Sequence, residues 1–150
     1  MLKNIPPVLT PDLLKVLAEM GHGDEIAVVD ANFAAMSLGR GKPVLNLAGA
    51  DLRCAAHAIL TLLPLDEAVA QPVAYMLVGG RADDYLSALQ HDVIERCEAA
   101  AGVGRAGCAG LERFAFYARA REAFAIVQTG ELEPFANFIF KKGVLARLPS

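Results

Sequence analysis

The chain has 150 residues and a mass of 15.9 kDa, enough for one domain spanning 1–150 with a core that needs no disulfide or metal staple. Its 14 Lys and Arg against 17 Asp and Glu leave a formal charge of -3 and a pI near 5.6, which excludes the basic footprint of a nucleic-acid binder. At 55% hydrophobic residues and a mean hydropathy of +0.38, the composition predicts buried contacts between subunits, yet uncharged runs such as Cys54 to Leu65 fall short of the roughly 18 residues of a membrane span.

Thr10, Pro11 and Asp12 supply an N-cap, a first-turn proline and an acid at the positive end of a helix whose apolar positions are Leu13, Leu14, Leu17 and Met20. Gly21 stops it. After MGHGDE, the short β-branched run Ile26 to Val29 predicts a buried strand that delivers Asp30 at its C-terminal end. Val44 to Leu47 reads as a second strand. Asp51 caps a helix with Leu52, Ala55, Ala56, Ile59, Leu60 and Leu63 on one face, ending before Pro64. Pro72 to Val78 reads as a strand and about Asp83 to Ala100 as a helix, with Tyr85, Leu86, Leu89, Val93 and Cys97 inward. GVGRAG at 102–107 reads as a surface loop. A helix over Phe114 to Ala123, a strand over Phe124 to Thr129, a turn over Gly130 to Pro134 and a strand over Ala136 to Lys141 complete the order. This alternation predicts an α/β sheet covered on both faces, with ligands at the loops beyond strand ends.

Cys54, Cys97 and Cys108 form neither a CxxC pair nor an even set, so they read as reduced thiols with no disulfide or zinc site. Pro6 and Pro7 stand where a secretion signal would carry its apolar segment, and a cytoplasmic location is expected. The GxGxxG at 102–107 closes a helix instead of opening one, which is the wrong context for a dinucleotide site. His57 reads as a core-edge histidine with a satisfied hydrogen bond and His91 as a solvated side chain. The three histidines share no metal-ligand spacing. His22 differs: an imidazole between two glycines at a helix end, near Asp24 and Glu25, is a setting where backbone can approach a ligand. Asp30 and Arg113 are polar groups on apolar elements, explained by a ligand or by a structural ion pair.

LLKVLAEMGHGDEI at 13–26, DANF at 30–33, RFAFYARAREAFAIVQTGE at 113–131 and FANFIFKKGV at 135–144 together resemble the L-fucose mutarotase and D-ribose pyranase family, on its L-fucose mutarotase branch. The resemblance implies a three-layer α/β/α sandwich with a mostly parallel central sheet and a ring-shaped homo-oligomer, commonly a decamer, with sites near subunit contacts. It places the family's catalytic histidine on His22, its sugar-binding aspartate on Asp30 and its binding arginine on Arg113. The family's triplet near the C-terminus falls on Phe135, Ala136 and Asn137. Phe135 stands where the family usually has tyrosine. Phenylalanine can stack on a sugar ring but cannot hydrogen-bond it or pass a proton, so either the substrate differs, or Tyr117 or a water takes over, or activity is reduced.

The implied activity is a cofactor-free isomerisation of a free monosaccharide, most simply L-fucose: a hemiacetal opens and recloses on the other face of the aldehyde. His22 is expected as the acid/base with Asp24 orienting it, while Asp30, Arg113 and Asn137 position the sugar. Two rival expectations stand beside it. One is a D-ribose pyranase, disfavoured by RFAFY and KKGV; the other is a sugar-binding or regulatory module without turnover, motivated by Phe135 alone.

Overall fold

The computed structural model describes residues 1–146. In chain order the elements are α1 (Pro11–Glu19), β1 (Glu25–Val29), α2 (Ala35–Leu38), β2 (Val44–Leu47), α3 (Leu52–Leu60), β3 (Val73–Met76), α4 (Ala88–Ala101), β4 (Cys108–Leu111), α5 (Arg113–Glu122), β5 (Ala125–Thr129) and β6 (Phe138–Lys141). The strands form one six-stranded sheet in the order β2-β5-β1-β6-β3-β4. β5 pairs in parallel with β2 and β1, and β3 with β4, whereas β6 lies antiparallel between β1 and β3. The sheet is thus mostly parallel, as expected.

Because successive strand residues face opposite sides, each strand splits its apolar residues between two cores. Ile26, Val28, Val127, Phe138 and Phe140 pack beneath α1, α3 and α4, while Ala27, Val29, Ile126 and Ile139 pack against α2 and α5. Three layers result. Both predicted helix caps form: Thr10 accepts from the Leu13 backbone N–H at 3.3 Å and Asp51 from that of Cys54 at 2.7 Å. No helix among the described residues is long and apolar enough to cross a membrane.

Three local expectations are corrected. The helix expected from about Asp83 starts at Ala88, because Ser87 and Gln90 form a reciprocal capping box there; Tyr85 is exposed, with Arg81 over its ring at 4.8 Å, instead of lying in the core. The 102–107 stretch is not all loop, since Arg105–Gly107 makes a 3-10 turn that feeds β4. β4 itself, with the sequence CAGL, and the single turn α2, with AMSL, carry too little periodicity to be read beforehand.

Glu25 ties three elements together. Its carboxylate accepts from Arg119 of α5 at 2.7, 3.1 and 3.2 Å and lies 3.3 Å from Lys141 Nζ of β6. Burial pushes the Glu25 carboxyl upward, but the bonds and charges of Arg119 and Lys141 outweigh it and hold it below the usual carboxylate range. A carboxyl lowered in the folded state stabilises above the ordinary carboxylate range and loses that contribution as pH falls through its folded value. Urea unfolding of Glu25→Gln should therefore show a loss of roughly 2 kcal/mol at pH 7. The gap to the unaltered chain should close as the pH is lowered below the carboxylate range.

Candidate functional site

Asp30 follows the last residue of β1, at the carboxyl end of the parallel strands, and is buried. Since β6 runs the other way, its first residues arrive at that same end, and Asn137 meets Asp30 in a reciprocal pair. The Asp30 N–H donates to Asn137 Oδ1 at 2.8 Å and Asn137 Nδ2 donates to Asp30 Oδ2 at 3.0 Å. The Asn32 N–H donates to the other carboxylate oxygen at 2.9 Å. Burial pushes the Asp30 carboxyl above its usual range, against the pull of these bonds.

A cavity of about 230 Å³ opens in front of this pair, lined by Asp30 and Asn137 with Phe33, Arg113, Tyr117 and Phe135 among its other walls. Arg113 begins α5 and is exposed, its guanidinium 4.8 Å from the Phe114 ring centre and 5.8 Å from that of Tyr117. Phe135 has a left-handed backbone, with φ of 64°, and its ring packs on Gly79, where a Cβ would come within 3.0 Å of Cζ. Ala136 is buried beneath, without a polar side chain to offer. One face of the cavity is therefore a carboxylate, an amide and a guanidinium, and the other is aromatic. That division suits a ring with hydroxyls on its edge and C–H bonds on its face.

His22 is not in this cavity. It lies before β1, whereas Asp30 lies after it, and a five-residue strand of roughly 17 Å separates the two ends. At its own end, His22 borders a second cleft of about 220 Å³ with Leu65, Asp66, Glu67, Ala68 and Val144. His22 Nε2 sits 3.1 Å from Asp66 Oδ1; the His22 side chain is 52% exposed and that of Asp66 only 6%. The Ala68 N–H, which donates to Asp66 at 3.0 Å, holds the Asp66 carboxyl below its usual range against burial, helped by the imidazole. The carboxylate beside the His22 imidazole is therefore that of Asp66, where the sequence reading expected Asp24. Asp24 instead accepts from the Gly21 N–H at 2.7 Å and so shapes the turn that carries His22.

Asp66 escaped the sequence reading because it is 44 residues from His22 and follows a helix stop without any local pattern. Sheet register brings it in: the Asp66 N–H donates to the Lys141 carbonyl, and Gly23 donates to that of Lys142, so the end of β6 clamps both loops together. Gln90 was missed for the same reason. Its Nε2 donates to the Met76 carbonyl at 2.8 Å and reaches that of Phe135 at 3.4 Å, joining the N-terminus of α4 to the cavity wall.

The remaining polar candidates lie elsewhere. His57 Nε2 is buried without a hydrogen-bond partner among the described residues, contrary to the satisfied histidine expected; burial and the charge of Arg96 lower its pKa. Burial pushes the Cys97 and Cys108 thiols up to about 12 and about 11, which keeps them protonated and unreactive. Among the described residues no group of three or more His, Cys, Asp or Glu side chains is placed to hold a metal ion.

Comparison with known proteins places this geometry in a family. The chain is 45% identical to a fucose mutarotase of Mus musculus over 155 aligned positions, covering 99% of this chain and 98% of that one. Among solved structures, the fucose mutarotase of Streptococcus pneumoniae in complex with L-fucose superposes with a TM-score of 0.87 at 38% identity, covering 97% of this chain and all of that one. FucU from Bifidobacterium longum superposes with a TM-score of 0.89 at 37% identity, over 96% of this chain and all of that one. A family model matches residues 3–145, and the chain belongs to the family it describes, the RbsD / FucU transport protein family.

Proposed function

We propose that this chain is a mutarotase for a free monosaccharide, L-fucose first among candidates, with a site completed where two copies meet. Relatives 41–45% identical over nearly the whole chain are named fucose mutarotases, and mutarotases are isomerases. The observation that carries the reading is the division of labour between the two ends of β1. One end holds an imidazole paired with a carboxylate, a proton-transfer device; the other holds a half-aromatic, half-polar cavity with no imidazole.

Mutarotation needs both halves. A base removes the proton of the anomeric hydroxyl, the ring oxygen takes up a proton as its bond to the anomeric carbon breaks, and the open aldehyde turns and recloses on its other face. His22 acts as acid and base, and Asp66 fixes the orientation of its ring and offsets the charge of the imidazolium. Asp30 accepts from sugar hydroxyls, Arg113 donates to them, Asn137 holds Asp30 in place and Phe135 stacks on the ring. No step requires a cofactor.

Two copies are needed because one chain holds the halves apart. Both ends also carry exposed apolar side chains: Val144 and Leu145 next to the His22 cleft, and Met36, Phe114 and Leu132 on the segments bordering the Asp30 cavity. Surfaces of this kind are covered in an assembly. A ring in which the His22 end of each copy covers the Asp30 cavity of another, as in the decamer that the family resemblance implies, would complete every site.

Exchange NMR on the anomeric protons should show faster interconversion of L-fucose anomers with the protein than without it, with D-ribose measured in parallel. His22→Ala should abolish the acceleration while sugar still binds by titration calorimetry; saturable binding without any acceleration by the unaltered protein would leave a binding module in place of an enzyme. Arg113→Ala should weaken binding at least about tenfold, corresponding to roughly 1.4 kcal/mol. Mixing the inactive His22→Ala protein with the weakly binding Arg113→Ala protein under conditions that exchange subunits should restore activity at low sugar concentration, to roughly a quarter of the sites for random assembly. No recovery after verified exchange would place both halves of each site in one copy.

A further inference from the structure

Behind the wall of the Asp30 cavity lies a buried amide with more hydrogen-bonding capacity than its helix requires. Gln90 is on the first turn of α4 and is 1% exposed. A capping box asks of this position only an oxygen for the N-cap N–H, which Gln90 Oε1 supplies to Ser87 at 3.1 Å. That bond does not call for burial. Sinking a whole amide into the core costs free energy unless its remaining hydrogens are bonded, and an apolar side chain would fill the space without that penalty. Here the Nε2 hydrogens go to the carbonyls of Met76, at 2.8 Å, and Phe135, at 3.4 Å. These partners also fix which way the amide points, because the reverse orientation would set its oxygen against two carbonyls and its hydrogens against the Ser87 N–H.

All three bonds converge on Phe135. Met76 ends β3 and Ser87 caps α4, so the same amide holds both ends of the loop 77–86. Leu77 is tied to β4 through the Leu111 carbonyl, but the bonds farther along, Arg81 N–H to Val78 and Tyr85 N–H to Ala82, are local turns that shape the loop without anchoring it. Gly79, on this loop, is the surface on which the Phe135 ring packs. The third bond reaches the carbonyl of Phe135 itself, whose backbone is left-handed with φ of 64°. Such a backbone persists where its surroundings over-determine it, and the Asn137 N–H and Gln90 both donate to that one carbonyl. Phe135 has no hydroxyl with which to anchor its ring from the cavity side, so the ring is set from behind.

We propose that Gln90 is a positioning residue for sugar binding, a buried amide that sets the Phe135 ring through its carbonyl and through the loop beneath it. The proposal rests on the mutarotase reading and deepens it. Gln90 touches no sugar and moves no proton. It acts on how well the ring stacks against the bound sugar, a contact made alike in the ground state and during ring opening. Losing a contact of that kind raises KM and leaves kcat nearly unchanged. The His22 imidazole, at the other end of β1, is not disturbed.

The test measures kcat and KM for L-fucose by exchange NMR, and urea unfolding midpoints, for the unaltered protein and for Gln90→Met, Gln90→Asn, Ser87→Ala and Phe135→Ala. Gln90→Met keeps the length of the side chain and removes all three bonds; it should raise KM about tenfold and change kcat by less than about threefold. Gln90→Asn keeps an amide one methylene too short to reach both carbonyls and should raise KM comparably, so either variant carries the test if the other does not fold. Ser87→Ala removes the hydroxyl that caps α4 and leaves the bonds of the Gln90 amide in place, so it should lower the unfolding midpoint while KM stays within about twofold. Added to Phe135→Ala, Gln90→Met should raise KM by less than about twofold further, since the ring it positions is gone. A KM for a folded Gln90 variant equal to that of the unaltered protein, an equal rise for Ser87→Ala, or Gln90 and Phe135 losses that multiply would overturn the assignment. Failure of the underlying reading is distinct, since the unaltered protein itself would then accelerate no sugar.

Discussion

The antiparallel placement of β6 between β1 and β3 is the constraint on which both functional regions depend. A parallel strand in that position would enter the sheet at the His22 end and leave at the Asp30 end. Running the other way, β6 is entered through Phe135, Ala136 and Asn137 beside Asp30 and left through Lys141 and Lys142 beside His22 and Asp66. A four-residue strand thus organises polar groups at opposite edges of the sheet, and its own side chains, Phe138, Ile139 and Phe140, are completely buried between the layers. Its register is fixed by that burial, because a slip of one residue would turn these side chains to the wrong faces.

Each end is held by one side chain, a lysine at the first and an amide at the second. Lys142 Nζ donates to the carbonyls of Leu17 at 2.8 Å and Met20 at 2.5 Å, closing the C-terminus of α1 from which the His22 turn departs. Asn137 uses both ends of its amide on Asp30. The cost at the Asp30 end is a carboxylate kept in a place that disfavours its charge, compensated by the bonds that orient it.

Much of this was legible in the residues. The run Ile26 to Val29 ending at Asp30, the caps at Thr10 and Asp51, and the unusual setting of His22 all follow from local rules of periodicity and capping. What stayed hidden depends on contacts between distant segments. Asp66 has no local signature and acquires its meaning only when β6 draws its loop to the His22 turn. The direction of β6, the edge strand β4 and the start of α4 are likewise settled by partners, since a short apolar run carries no arrow and CAGL carries almost no periodicity. The separation of His22 from Asp30 was in principle countable, as a strand of known rise lies between them.

The wall formed by Phe135 carries one more implication. A phenylalanine with φ of 64° adopts a backbone that side chains disfavour, and it is held there by its ring on Gly79 and by the Asn137 N–H on its carbonyl at 2.9 Å. A Cβ at Gly79 would stand 3.0 Å from the Phe135 ring, closer than ordinary contact, so the ring would have to give by a few tenths of an ångström. The two positions are therefore coupled: an alanine at 79 presses on the ring, and a different ring at 135 has to fit against the same glycine. The shape of the wall here is an epistatic property of a pair of residues, one of which has no side chain to contribute.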